Sequence, residues 1–246
     1  MYKKAIYSVL SNEPLTRDVY RMVLEGDTQW ITRPGQFVNI ELDGFYLRRP
    51  ISISDWSDTT ITIIYKVVGR GTQVMSQMGV GVKLDVLTGL GNGFNPEVEC
   101  QKPLLVGGGV GVPPLFRLAK ELLARGRKVS VVLGFNKADE VFYAEEFKTL
   151  GADVYVSTAD GSMGVKGFVT DAIREAAIDF DYFYSCGPLP MLKALCGCCD
   201  QDGELSFEER MGCGFGACMG CSCKTLTGNK RICKDGPVMK RGEIIW

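Results

Sequence analysis

The cysteine-rich C-terminal stretch constrains this chain more than any other feature. Most of its ten cysteines lie between Cys196 and Cys233, and from residue 206 to 246 glycine and cysteine displace the apolar residues that a core needs. A segment of that kind does not build its own hydrophobic interior, so an inorganic group is expected to hold it together. The strongest pattern within it is Cys213-Gly-Phe-Gly-Ala-Cys218-Met-Gly-Cys221, with Cys233 downstream in Arg-Ile-Cys-Lys-Asp-Gly-Pro. C-x4-C-x2-C with a distal fourth cysteine is the spacing of a plant-type 2Fe–2S site. Glycines at 212, 214, 216 and 220 fit a loop wrapped around bridging sulfides, which needs positive φ values and inward-facing N–H groups. The competing readings are structural zinc and buried thiols without a metal. Zinc sites usually pair their cysteines as two C-x2–4-C knuckles, which this spacing does not match. Cys223 is a competing ligand that the pattern does not require.

Histidine is absent, so no imidazole can act as base, proton shuttle or metal ligand, and a Rieske arrangement is excluded. The 28 basic and 29 acidic residues give a net charge of −1, without the electrostatic footprint of a nucleic-acid binder. Apolar residues make up 46% of the 246 positions, enough for real cores. The longest apolar runs fall far short of the roughly 20 residues that span a bilayer, and the N-terminus has no apolar secretory core. The expectation is a soluble, cytoplasmic protein that binds neither nucleic acid nor membrane.

Three segments follow from the rhythm of the chain. Residues 1–98 alternate apolar and polar positions at 3–10, 19–24, 37–42, 60–67 and 82–87, separated by turn signals. This predicts a small antiparallel barrel or sandwich, interrupted by a helix over 72–78 with Thr72 as its N-cap. Residues 99–205 alternate strands (104–106, 129–135, 153–157, 182–186) with helices (113–125, 145–150, 169–177, 190–198), which predicts βαβ units and a parallel sheet. Residues 206–246 show little periodicity. The fold class expected is α/β plus all-β, with a small C-terminal cluster domain.

Three further motifs bear on chemistry. In Leu47-Arg48-Arg49-Pro50-Ile51-Ser52-Ile53 an arginine precedes a strand, suited to a diphosphate by its planar, permanent charge, although paired arginines are also common at a solvated edge. Gly107-Gly108-Gly109-Val110-Gly111 follows a strand and opens a helix, the context for phosphate binding, but it departs from G-x-G-x-x-G and a tight structural turn remains an alternative. Ser185-Cys186-Gly187-Pro188 ends a parallel strand, where ligands sit in such sheets, and Cys186 either faces a substrate ring or is a buried thiol. Cys196, Cys198 and Cys199 lie in a helical stretch and read as packing residues.

Taken in order, LRRPISI (47–53), GRGT (69–72), GLGNGF (89–94), LLVGGGVGVPPL (104–115), SCGPLPML (185–192) and EERMGCGFGACMGC with CKDGPV (208–238) resemble the ferredoxin–NADP reductase superfamily with a C-terminal cluster domain. Within it the resemblance is to electron-transfer subunits of NAD-dependent (class B) dihydroorotate dehydrogenases. It implies FAD held by Arg49, Pro50, Ile51 and Ser52, by Ile64, Tyr65 and Lys66, and by Gly71 and Thr72. It implies NAD near Gly107, Gly108, Gly109, Gly111, Cys186, Gly187 and Pro188, and a 2Fe–2S cluster on Cys213, Cys218, Cys221 and Cys233. Cys186 and Ser52 would lie beside the nicotinamide and the flavin, with no side chain assigned as acid or base. Where many superfamily members place an aromatic ring on the flavin, this chain has Ile51, so the ring face must be covered differently.

A nicotinamide exchanges two electrons as hydride and a 2Fe–2S cluster exchanges one, so a flavin is expected between them. The three segments take up all 246 residues, leaving no room for an α/β barrel of about 250 residues. The resemblance therefore implies an FMN-containing dihydroorotate dehydrogenase catalytic subunit as partner, in a heterotetramer of two of each. Two other readings stand beside it: an NAD(P)H-dependent ferredoxin-type oxidoreductase subunit, and a zinc-bound interaction module without enzymatic activity.

Overall fold

Alternation of apolar and polar positions closes the first part of the chain into a barrel in the computed structural model, which describes residues 2–246. The strands are β1 (Lys3–Pro14), β2 (Val19–Glu25), β3 (Phe37–Ile40), β4 (Arg49–Trp56), β5 (Thr60–Lys66) and β6 (Lys83–Leu90), in the closed order β1-β2-β5-β4-β3-β6 with antiparallel pairing. Tyr7, Val9, Met22, Leu24, Val38, Ile40, Ile53, Ile61 and Ile63 point inward and are at most 1% exposed. Burying one such side chain contributes about 1.5–3 kcal/mol.

Helix α1 (Arg70–Ser76) differs from its expected bounds. It begins two residues before Thr72, with Gly69 as N-cap. Thr72 sits at the third helical position, and its hydroxyl accepts from the Val68 and Gly69 N–H groups at 3.0 and 3.3 Å. The capping oxygen thus acts from inside the helix, because the extended Gly69 backbone brings those donors back over the first turn. Asn12 finishes the other end by donating to the Met75 and Met78 carbonyls, and the Tyr65 hydroxyl donates to its Oδ1.

The chain forms two compact units, one comprising the chain up to Gly93 together with Glu208–Val238, the other Phe94–Phe207 with Met239–Trp246. In the second unit β7 (Pro103–Gly108), α2 (Pro114–Ala124), β8 (Ser130–Phe135), α3 (Ala144–Leu150), β9 (Asp153–Thr158), β10 (Val165–Lys166), α4 (Val169–Glu175), β11 (Tyr182–Cys186), α5 (Leu189–Cys198) and β12 (Gly203–Ser206) follow one another. The sheet order is β10-β9-β8-β7-β11-β12-β15, with β15 at Val238–Lys240 and the pairs from β10 to β12 parallel. Leu104, Leu105 and Val106 of β7 and Val131, Val132 and Leu133 of β8 are fully buried, as continuous apolar runs in a sheet covered on both faces must be. Strands β12 and β15 were not anticipated: Gly-Glu-Leu-Ser is too short and too polar to announce itself, and it becomes a strand by adding to the edge of β11.

The segment read as lacking periodicity contains a hairpin, β13 (Ser222–Thr225) with β14 (Gly228–Arg231). No helix of the described residues is long and apolar enough to cross a membrane.

One position offers a direct stability test. A Cβ built on Gly197 in α5 meets nothing within 4 Å, and its φ lies outside the left-handed region. Gly197→Ala is expected to stabilise the chain by about 0.5–1 kcal/mol through lower chain entropy, read as a higher urea midpoint. A lower midpoint would show that this turn of α5 is not helical in solution.

Candidate functional site

The four cysteines of the spacing pattern come together as two pairs. The Cys218 and Ala217 N–H groups donate to the Cys213 Sγ at 3.4 and 3.2 Å, and the Cys233 N–H donates to the Cys221 Sγ at 3.4 Å. Cys221 and Cys233 are each 2% exposed, whereas Cys218 lies at the surface. Burial pushes the Cys213 thiol up, but N–H groups of Cys218, Phe215 and Ala217 and the Cys218 thiol outweigh it and bring it down to about 6. Burial, with Cys221 alongside, pushes Cys233 up to about 12. Gly214 and Gly216 take positive φ (80° and 91°) as expected, but Gly212 and Gly220 do not. The third left-handed residue is Met219, at φ 61°. Arg231 braces the loop: its Nη1 donates to the Gly216 carbonyl at 2.7 Å, and its Nε pairs with Asp235 at 3.2 Å.

Among the described residues no three His, Cys, Asp or Glu side chains converge on a single-ion position. Two pairs of thiols match the demand of a two-iron cluster, in which each iron takes two protein sulfurs. Cys223 lies on β13, two residues beyond Cys221, its thiol raised chiefly by burial. Cys198 and Cys199 both donate to the Leu195 carbonyl (3.2 and 3.0 Å), and burial raises both thiols, Cys199 to about 12; Cys199 is half-buried, but Cys198 is exposed, so the expectation of a packing residue does not hold for it.

The adjacent arginines of the second motif diverge. Arg48 is used by the barrel, pairing with Glu41 and with Asp85 at 2.8 Å. Burial acts to raise the Asp85 pKa, but Lys4 and Arg48 outweigh it and hold the carboxyl below its ordinary value. Arg49 lies over the Phe45 ring at 4.5 Å, with its Nη1 donating to the Leu47 carbonyl. A Cβ on Gly71 would stand 2.1 Å from the Arg49 Nε, so the guanidinium rests against the start of α1 only because that position has no side chain. The structure thereby brings Arg49, Gly71 and Thr72 together. Arg49, Pro50, Ile51 and Ser52 are all half-buried, with Ile51 packed against the barrel core. Ile64 is buried, and Lys66 pairs with Asp18 at 3.1 Å. Tyr65 is packed in the barrel core with its hydroxyl on Asn12, so any ligand contact from this residue is through the backbone.

In the second unit, the glycine run is divided differently from expectation. Gly107 and Gly108 finish β7, and only Gly109–Gly111 forms the turn, a single 3-10 turn leading into α2. The flat sheet environment claims the first two glycines because β7 is hydrogen-bonded on both sides as far as its last residues. From β7 the chain runs outward to β8, β9 and β10 and then returns to the other side as β11, so the strand order reverses between β7 and β11. Ligands in such sheets bind outside the carboxyl ends of the strands at this reversal. Gly107 pairs with Cys186 there. A Cβ on Gly111 would lie 2.2 Å from the Cys186 carbonyl oxygen, and one on Gly108 would lie 3.1 Å from the Pro188 Cδ. Two motifs about 80 residues apart in sequence thus form one backbone-lined corner, with Cys186 itself only 2% exposed.

Residues 105–197 match an oxidoreductase NAD-binding domain, and residues 208–245 match the iron–sulfur cluster binding domain of dihydroorotate dehydrogenase B. A relative from Fusobacterium nucleatum, the electron transfer subunit of dihydroorotate dehydrogenase B (NAD(+)), is 47% identical over 96% of each chain. Relatives of the same name from Lysinibacillus sphaericus and a Geobacillus strain are 46% and 44% identical over 99% and 100% of both chains. This chain belongs to the dihydroorotate dehydrogenase B electron-transfer subunit family. Among solved structures it is similar to the NADH-dependent reduced ferredoxin-NADP oxidoreductase, with 31% identity and a TM-score of 0.88 over 98% of this chain and 90% of that one. A ferredoxin reductase of carbazole 1,9a-dioxygenase shares the fold, with 23% identity and a TM-score of 0.66 over 78% of this chain and 64% of the other.

Two asparagines, one inside a marked dihydroorotate dehydrogenase B motif and one outside all of them, play a part that is visible only in three dimensions. Asn92, inside GLGNGF, reaches the segment after Cys233, and Asn39 on β3 reaches the Cys213 carbonyl. Nothing in the local pattern of β3 signals this, since a polar residue in an alternating strand reads as an ordinary outward position.

Proposed function

We propose that this chain carries electrons between the FMN of a separate dihydroorotate dehydrogenase catalytic subunit and NAD⁺, through a 2Fe–2S cluster and FAD. The partnership would be a cytoplasmic heterotetramer of two of each, serving the oxidation of dihydroorotate to orotate. The observation that carries this reading is the pairing of Cys213 with Cys218 and of Cys221 with Cys233 within a chain that matches such subunits end to end. FAD supplies the exchange between hydride chemistry at a nicotinamide and one-electron chemistry at a cluster.

The chain's own residues position these groups, in segments 1–98 for FAD, 99–205 for NAD and 206–246 for the cluster. Arg49, braced on Phe45 and resting on Gly71, offers its guanidinium to the diphosphate of FAD, with the first N–H groups of α1 beside it. Pro50, Ile51 and Ser52 form the half-buried strand surface against the flavin, Ile64, Tyr65 and Lys66 the neighbouring strand, and Thr72 fixes the helix start. Gly107, Gly108, Gly109 and Gly111, with Cys186, Gly187 and Pro188, make the corner that takes NAD. Hydride exchange there needs no proton from a side chain, which agrees with a chain that has no histidine.

Arg49→Ala is expected to weaken FAD binding about 10- to 100-fold, in line with about 1.5–3 kcal/mol for a charged hydrogen bond, measured as the flavin-to-protein ratio after dilution. Arg49→Lys should recover only part of this, because an ammonium lacks the planar fork. Full FAD retention by the alanine variant would remove Arg49 from the site.

Purification through a tag on this chain, after co-expression with the catalytic subunit, tests the function. Co-purification with flavin and iron–sulfur absorbance, and dihydroorotate-dependent NAD⁺ reduction, is the expected result. The likeness to the NADH-dependent ferredoxin-NADP oxidoreductase supports a second reading, an NAD(P)H-dependent ferredoxin-type subunit. A coloured protein that ignores the catalytic subunit and reduces ferredoxin would favour it.

A further inference from the structure

The cluster segment is tied to the barrel at both ends by asparagines that the roles above do not use. Asn39 lies on β3 between Val38 and Ile40, which take the barrel core, so its side chain points to the outer face. It is nevertheless 1% exposed. Its Nδ2 donates to the Cys213 carbonyl at 3.2 Å, while its Oδ1 is buried without a partner. A buried acceptor left unpaired costs stability, and an apolar residue of the same size would avoid that cost. What Asn39 supplies is therefore the donor. The approach depends on the next residue: a Cβ on Gly214 would stand 2.3 Å from the Asn39 Nδ2.

The opposite end is held from the β6 side. The Asn92 Nδ2 donates to the Val238 and Asp235 carbonyls at 2.7 and 3.3 Å, its Oδ1 accepts from the Val238 N–H at 3.1 Å, and its own N–H donates to the Gly236 carbonyl at 2.8 Å. These partners begin two residues after Cys233. The two asparagines thus grip the segment just after its first cysteine and just after its last.

We propose that Asn39 and Asn92 form a two-point clamp that positions the cysteine loop on the barrel, with Asn39 setting the direction of the Cys213–Gly214 peptide. That peptide starts the turn which aims the Ala217 and Cys218 N–H groups at the Cys213 sulfur. Donors on sulfur favour the more negatively charged, reduced form of a cluster and raise its potential. The clamp rests on the assignment of the four cysteines to a 2Fe–2S cluster, and it makes the two asparagines positioning residues rather than ligands.

The test uses the full chain with its cofactors and compares the parent with Asn39→Leu, Asn39→Asp, Asn92→Asp and a control, Ser54→Ala. Ser54 is another fully buried barrel residue with an unpartnered hydroxyl and no link to the loop. Reduced-cluster spin resonance during a redox titration reports the potential, release of iron to a chelator reports loop closure, and bound FAD reports the barrel. At the parent's midpoint, both Asn39 variants are expected to show a reduced-to-oxidised cluster ratio about ten-fold lower, equivalent to about 59 mV for one electron. Iron release should be about ten-fold faster in the Asn39 and Asn92 variants, with FAD content unchanged. Parent-like potential and iron release in the Asn39 and Asn92 variants would overturn the clamp, as would an equal shift in Ser54→Ala. If an Asn39 variant also loses FAD, Asn92→Asp decides by its iron release. A parent chain without a 2Fe–2S signal would overturn the cluster assignment, and the clamp with it.

Discussion

Cys218→Ser is expected to abolish the 2Fe–2S signal while leaving the barrel and its FAD in place. Cys218 is the exposed member of the four, so exchanging its sulfur for oxygen removes no core packing. A neutral hydroxyl replaces a proposed thiolate ligand, while the backbone donors to the Cys213 sulfur remain. NADH-dependent reduction of a small dye that accepts electrons from flavin should stay within about two-fold of the parent. Dihydroorotate-dependent NAD⁺ reduction by the assembled complex should fall at least about 100-fold, the equivalent of roughly 2.7 kcal/mol of barrier. The split between the two activities is the informative readout. A variant that keeps its cluster spectrum would show that Cys218 is not a ligand and would point to Cys223 instead. Loss of both activities would mean that the cluster segment supports the flavin site as well.

Gly111→Ala is expected to damage the proposed dinucleotide corner with a single methyl group. The added carbon would lie 2.2 Å from the Cys186 carbonyl oxygen, 2.4 Å from its carbon and 2.6 Å from the Gly187 nitrogen. All three are backbone atoms in or next to a hydrogen-bonded strand, so no side chain can swing aside. Either the 3-10 turn moves away from β11 or the end of β11 bends. Overpacking of this kind costs about 1–3 kcal/mol, visible as a lower unfolding midpoint. Because both displaced segments form the proposed nicotinamide corner, the KM for NADH should rise at least about ten-fold, the equivalent of roughly 1.4 kcal/mol. FAD content and the cluster spectrum should not change. An unchanged KM in a stably folded variant would place the nicotinamide elsewhere.

Local pattern carried far in this chain, and where it stopped is instructive. Strands β1, β2, β5 and β6 were legible because alternation survives in any strand with one buried face. The α/β segment was legible because a doubly covered strand must be a continuous apolar run, as Leu104–Val106 is. The cysteine spacing was legible because ligation chemistry restricts which residues can serve and how far apart they stand. By contrast, β12 is a strand only because β11 offers an edge, and Thr72 caps α1 from its third position only because Gly69 turns the backbone back.

The sequence by itself determined the kinds of element, the four candidate ligands and the absence of any imidazole chemistry, since each follows from residue type and short spacing. Only the tertiary structure decided which distant residues meet: Arg49 with Gly71, Gly111 with Cys186, Asn39 with Cys213. It also separated the two adjacent arginines, giving Arg48 to ion pairs on the barrel and laying Arg49 over Phe45 against the start of α1. The reason is physical. Periodicity and ligand spacing act over a few residues, whereas close backbone approach and the direction of a side chain depend on strand order and register, which are set by contacts across the whole chain.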